Sequence, residues 1–181
     1  MSMQGFSNNK VKQTYFLLAI TILANAVPFW PSQKPGADFV ATIKAAVDHP
    51  TVALIGSDIA AGHPLTRMVG GSWISIYCSD WLGGFATYFA EVEALSGNQA
   101  AAEHYRQITD HYIDDKLAQL ETTRPSLVIV QKADTLWLTE LSGRQDFVRF
   151  MQGYRQIAED DTLRVLVRND ARAANRSSSF F

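Results

Sequence analysis

Thr51-Val52-Ala53-Leu54-Ile55-Gly56 and Ser126-Leu127-Val128-Ile129-Val130 are unbroken apolar runs bounded by turn-forming residues. A run this short, with no polar residue on alternate positions, suits a strand covered on both faces, and so a parallel, central one. Between them lies the strongest helical pattern of the chain, over 99–122. Its apolar stripe is Tyr105, Ile108, Tyr112, Ile113, Leu117 and Leu120, and Arg124-Pro125 ends it. Two buried strands joined by a long helical crossover are expected to be parallel neighbours.

Working outward, 38–47 predicts a helix with Phe39, Val40, Ile43 and Val47 on one face. Asp38 is placed to cap it, and Asp48-His49-Pro50 stops it. Residues 73–77 alternate large and small and read as a further strand or as irregular chain. A helix is expected over 81–95, opening with Gly83-Gly84 and broken by Ser96-Gly97-Asn98. A short helix over 145–151 ends at Gly153. Residues 154–158 and 163–167, joined by Glu159-Asp160-Asp161, read as a terminal hairpin. The expected fold class is therefore α/β: a three-layer sandwich with a small, mostly parallel sheet, a terminal β-hairpin and one amino-terminal hydrophobic helix.

The chain has 181 residues, 47% apolar and 19% charged, which excludes a disordered or low-complexity protein and allows one sound core. The single cysteine, Cys78, excludes an intrachain disulfide and a multi-cysteine zinc site, and reads as a small buried packing residue. The net charge of −2 gives no reason to expect nucleic acid. Charge is unevenly spread. Residues 1–30 hold only Lys10 and Lys12, residues 31–163 hold 10 basic and 17 acidic groups, and residues 164–181 hold four Arg against Asp170. Three parts are expected: an anchor or signal segment (1–30), an α/β body (31–168) and a disordered tail (169–181).

From Gln13 to Gln33 there is no charged residue. As a helix, about 20 residues span about 30 Å, the thickness of the hydrocarbon core of a bilayer. Lys10 and Lys12 precede the stretch and place the body outside the cytoplasm. Ala24-Asn25-Ala26 also fits a cleavable signal, and a buried core segment is the third reading. The first two agree on an extracytoplasmic, periplasmic body, and in the retained-helix reading residues 14–30 are its membrane contact.

Motifs for catalysis are missing. There is no GxGxxG, no GxxxxGK[ST], no GxSxG and no HExxH, and no histidine follows His111. Gly70-Gly71-Ser72 lacks phosphate-loop spacing, and Ser57 lacks a partnered base. His104, His111 and Asp115 read as a solvated helix face. No catalytic residue, metal or cofactor is expected. The least explained stretch is 57–81, which begins past a strand end, where open α/β sheets bind ligands. Asp58, His63, Arg67, Trp73 and Trp81 are its candidate ligand-binding residues, against the plainer reading of a long covering loop.

The order of these parts resembles the carboxy-terminal extracytoplasmic domain of bacterial polytopic GT-C class glycosyltransferases, which are protein mannosyltransferase-like and use polyprenyl-phosphate sugars. The resemblance covers 14–168. It rests on the apolar stretch 15–30, Ile55-Gly56-Ser57, Pro64-Leu65, Gly71-Ser72-Trp73-Ile74-Ser75, Arg124-Pro125-Ser126-Leu127-Val128-Ile129-Val130 and Gly153-Tyr154-Arg155. The catalytic acid of that class lies in a loop after its first membrane helix. No such loop is present here, so no catalytic residue carries over. The resemblance implies a membrane-anchored accessory or binding domain that is not catalytic alone. A polytopic membrane glycosyltransferase is its implied partner, and a polyprenyl-phosphate sugar or glycan acceptor its implied ligand. The alternative is a stand-alone extracytoplasmic hydrolase-like enzyme using 57–81.

Overall fold

The computed structural model describes residues 35–171. The expected membrane segment (14–30) and residues 172–181 of the tail lie outside the described residues. In chain order the elements are α1 (Ala37–Ala46), β1 (Thr51–Ile55), α2 (Ile59–Met68), β2 (Ser72–Trp73), α3 (Trp81–Leu95), α4 (Gln99–Thr123), β3 (Leu127–Gln131), α5 (Thr135–Gly143), α6 (Gln145–Met151), β4 (Tyr154–Glu159) and β5 (Leu163–Arg168). The domain is mixed α/β, with a five-stranded sheet in the order β2-β1-β3-β5-β4.

The two apolar runs are β1 and β3. They pair in parallel, Val52 opposite Leu127 and Ile55 opposite Val130. Their sequences lack alternation because both faces are covered. Val52, Leu54, Leu127 and Ile129 join Val40 and Ile43 of α1 and Leu65 of α2 in one core. Ile55, Val128 and Val130 turn the other way, onto Tyr112, Ile113 and Leu117 of α4 and Trp137 and Leu141 of α5. Successive strand residues point to opposite faces, so one run serves two cores.

The expected sheet is corrected in one respect and completed in others. It is mixed rather than mostly parallel: β1 runs parallel to β2 and β3, while β5 is antiparallel to both β3 and β4. The terminal hairpin is present as predicted but enters the sheet through β5, with a bulge between Gln156 and Ala158 of β4. Of 73–77, read as a strand or as irregular chain, only Trp73 lies in a strand (β2, Ser72–Trp73) and the rest is irregular. The stretch 57–81 is not one loop, because it contains α2. Asp58 caps that helix by accepting the Ala60 N–H, and Pro64 inside it erased the helical signal.

Three further differences are local. Cys78, expected to be buried, is exposed in the irregular stretch between β2 and α3. α1 starts at Ala37, so Asp38 lies in its first turn rather than at its cap, where its charge still suits the helix dipole. Asn169 to Ala171, assigned to the tail, are held on the body: the Asn169 N–H donates to Gly153 O at 2.9 Å, and Ala171 packs against the first core. Among the described residues no helix is long and apolar enough to cross a membrane.

Candidate functional site

The loop leaving β1 is where an open α/β sheet presents ligands. Here the protein fills that position with its own side chains. The Gly56 N–H donates to Asp80 Oδ2 (2.9 Å), the Ser57 N–H to Asp134 Oδ2 (2.8 Å) and the Asp58 N–H to Gln131 Oε1 (2.9 Å). Asp80 and Asp134 precede α3 and α5, yet neither side chain caps its own helix. Both reach across to the loop instead. Gly56 has φ 155°, and a Cβ there would lie 2.5 Å from Gln131 Cβ, so only glycine fits. Three successive amides that would form an anion cradle are thus already bonded. Ser57 has no histidine on its hydroxyl among the described residues.

Behind the loop lies a buried polar hub that the sequence reading missed. Lys116 Nζ is 2.7 Å from Asp80 Oδ1 and donates to Leu54 O at 2.6 Å, with the two side chains 1% and 0% exposed. Asp80 Oδ2 also accepts from Trp137 Nε1 (3.1 Å), and Tyr112 OH lies 3.3 Å from Asp80 Oδ1. Burial, reinforced by the Asp80 charge, pushes the Tyr112 phenol well above the usual tyrosine range. Lys116 follows Tyr112 by four positions, so a lysine within the apolar stripe of 99–122 was the available signal. With its polar atoms paired and sealed, the hub ties β1, α3, α4 and α5 together and offers no group to a substrate.

The five candidate residues of 57–81 divide. Asp58 is spent on the α2 cap. The His63 ring stacks on Trp73, centroids 4.3 Å apart and planes 21° apart. The same indole covers Gly62, where a Cβ would lie 2.6 Å from it. Arg67 is exposed in the last turn of α2. Trp81 is exposed at the start of α3, edge-on to Phe85 at 6.0 Å. The structure thus brings His63 and Trp73 together as a packed pair, while Trp81 belongs to a separate aromatic surface on α3.

At the opposite end of β3, a groove of about 380 Å³ is lined by Arg124, Arg149, Phe150, Gly153, Tyr154 and Arg168, with Asn169 and Asp170 at its rim. Arg124 sits in the left-handed position (φ 43°) that ends α4, and Arg149 projects from α6. The Arg168 guanidinium donates to Arg124 O and pairs with Asp170, whose carboxyl it holds below the usual range. Tyr154 OH donates to Pro125 O at 2.7 Å. Burial pushes this phenol up to about 12, against the opposing pull of the Arg168 and Arg124 charges. Among the described residues neither Arg124 nor Arg149 forms an ion pair. Free guanidiniums around a cleft of this size are suited to a phosphate, which they bind through paired N–H donors. The sequence signals were Arg124 before Pro125 and the basic carboxy-terminal stretch, neither of which marks a cleft by itself.

A larger cavity of about 480 Å³ lies between α3, α4 and α5, and Glu91, Asp110, Glu140 and Arg106 are among the residues that line it. The exposed His111–Asp115 pair is 3.7 Å apart on α4, and no group of three metal-ligating side chains exists among the described residues. The fold and groove define a mixed α/β domain with a cationic cleft at one end of its sheet. Comparison with family models, curated proteins and solved structures finds no match to the chain.

Proposed function

We propose that this chain is a membrane-anchored extracytoplasmic binding domain, related to the terminal domain of GT-C class glycosyltransferases and not catalytic alone, that holds a phosphate-bearing ligand in the arginine groove. One observation carries the reading. Arg124-Pro125 and Gly153-Tyr154, two segments on which the resemblance rests, meet in that groove through the Tyr154 bond to Pro125 O. A polyprenyl-phosphate sugar has the matching chemistry: a phosphate for Arg124 and Arg149, and sugar hydroxyls for Asn169 and Asp170. Residues 14–30 are the proposed retained membrane helix, and a polytopic membrane glycosyltransferase the proposed partner.

The test is titration of the full chain in detergent with a short-chain prenyl-phosphate sugar, followed by NMR or calorimetry. Saturable binding is expected, weakened about tenfold or more by Arg124→Ala or Arg149→Ala, as for a lost charge-assisted hydrogen bond. Absence of saturable binding, or binding indifferent to both substitutions, refutes the groove. Recovery of the unprocessed chain entirely in the cytosol refutes the anchor.

A further inference from the structure

α3 is patterned inside out. Its buried residues are small, namely Gly83, Ala86, Thr87 and Ala90. They let α4 and α5 approach closely: Thr87 Oγ1 is 3.5 Å from Thr109 Oγ1 of α4, and a Cβ on Gly83 would lie 2.8 Å from the Tyr112 ring of α4 and 2.7 Å from the Trp137 ring of α5. The large side chains point the other way. Trp81, Phe85, Tyr88, Phe89, Val92 and Leu95 are 38% to 89% exposed. Their rings form a ladder that runs on to Tyr105 of α4, Trp81–Phe85 at 6.0 Å, Phe85–Phe89 at 6.3 Å and Phe89–Tyr105 at 5.5 Å between centroids. A helix on a water-facing surface carries the reverse pattern. Small residues toward the neighbouring helix and large apolar ones outward is the arrangement helices adopt in lipid.

We propose that the outer face of α3 lies in the interfacial layer of a lipid bilayer. Two observations favour lipid over a protein partner, and a third sets the charge of that lipid. The face is the convex side of one helix, with Trp and Tyr among its exposed side chains, and these concentrate at the headgroup boundary. α3 carries Glu91 and Glu93 but no Lys or Arg, so the contact is apolar and does not draw on anionic lipid. Finally, the uncharged stretch 13–33 ends just before the described residues. The inference rests on the proposed anchoring by this stretch, which holds α3 at a high effective concentration beside a membrane.

The experiment uses the full chain with Cys78→Ser and a single nitroxide label at Phe85→Cys, at Val92→Cys, or at Glu121→Cys on α4 as the control. Each is reconstituted in phosphatidylcholine vesicles. Expected are co-flotation with the vesicles and, at 85 and 92, severalfold greater collision with oxygen and severalfold less with a water-soluble nickel complex than at 121. Replacing a third of the lipid with phosphatidylglycerol is expected to leave both ratios unchanged. Co-flotation with water-exposed labels at 85 and 92 overturns the α3 contact while the anchor stands. Failure to float overturns both. Shielding of 85 and 92 in detergent solution that grows with protein concentration assigns the face to a second copy and overturns the lipid contact.

Discussion

Lys116 shows how one residue fixes the junction of four elements. Its ammonium bridges the end of strand β1, through Leu54 O, and the start of α3, through Asp80. Removing one partner of a sealed ion pair strands the other charge. Lys116→Met is therefore expected to cost about 3–5 kcal/mol in urea unfolding, and the double change with Asp80→Leu less than the sum of the two single changes. Tyr154 gives a prediction with a defined sign. Its phenol is raised from 10.0 to about 12 in the folded chain. The unfolded chain loses this proton first, so the tyrosine's contribution is complete below pH 10 and is lost as pH rises toward 12. Tyr154→Phe is expected to flatten the fall in stability over that window while costing about 0.5–1.5 kcal/mol at neutral pH for the lost bond to Pro125. Denaturant titrations at a series of pH values check both. Neither residue's role was legible in the sequence, because a lysine in an apolar stripe declares its burial but not its partner.

At the scale of elements, legibility followed periodicity. α4, β1, β3 and the hairpin were readable because an unbroken run or a clean stripe reports how many faces of an element are covered. α2 was hidden by Gly62-His63-Pro64, which imitates a loop, although Trp73 packs on that segment and holds it helical. α5 was hidden because only Trp137 and Leu141 of its nine residues are buried, too few for a stripe. The close approach of α3 to its neighbours yields a paired prediction. A Cβ on Gly83 would lie 2.7–2.8 Å from Trp137 and Tyr112, whereas one on Gly84 meets nothing nearer than 3.4 Å. Gly83→Ala is expected to destabilise by about 1–3 kcal/mol and to alter the near-ultraviolet dichroism of the two rings. Gly84→Ala is expected to stay within about 1 kcal/mol of the parent protein, read by thermal melts.

For the molecule as a whole, the described residues 35–171 form one compact unit. A chain starting at Pro35 is therefore expected to unfold cooperatively, with a midpoint within a few degrees of the full chain by calorimetry. A loss of several kcal/mol would instead place residues 14–30 in the core. The candidate groove was the least legible feature. Arg124, Arg149 and Arg168 lie on three elements, and only the docking of the hairpin on β3 brings them together.

The sheet's two borders carry a different consequence. One is β2, a mere two residues, and the other is β4, bulged and bearing Arg155 and Glu159. The first is too brief to template a foreign strand, and the second is bent and charged against one. Among the described residues the sheet therefore offers no rim suited to the growth of fibrils.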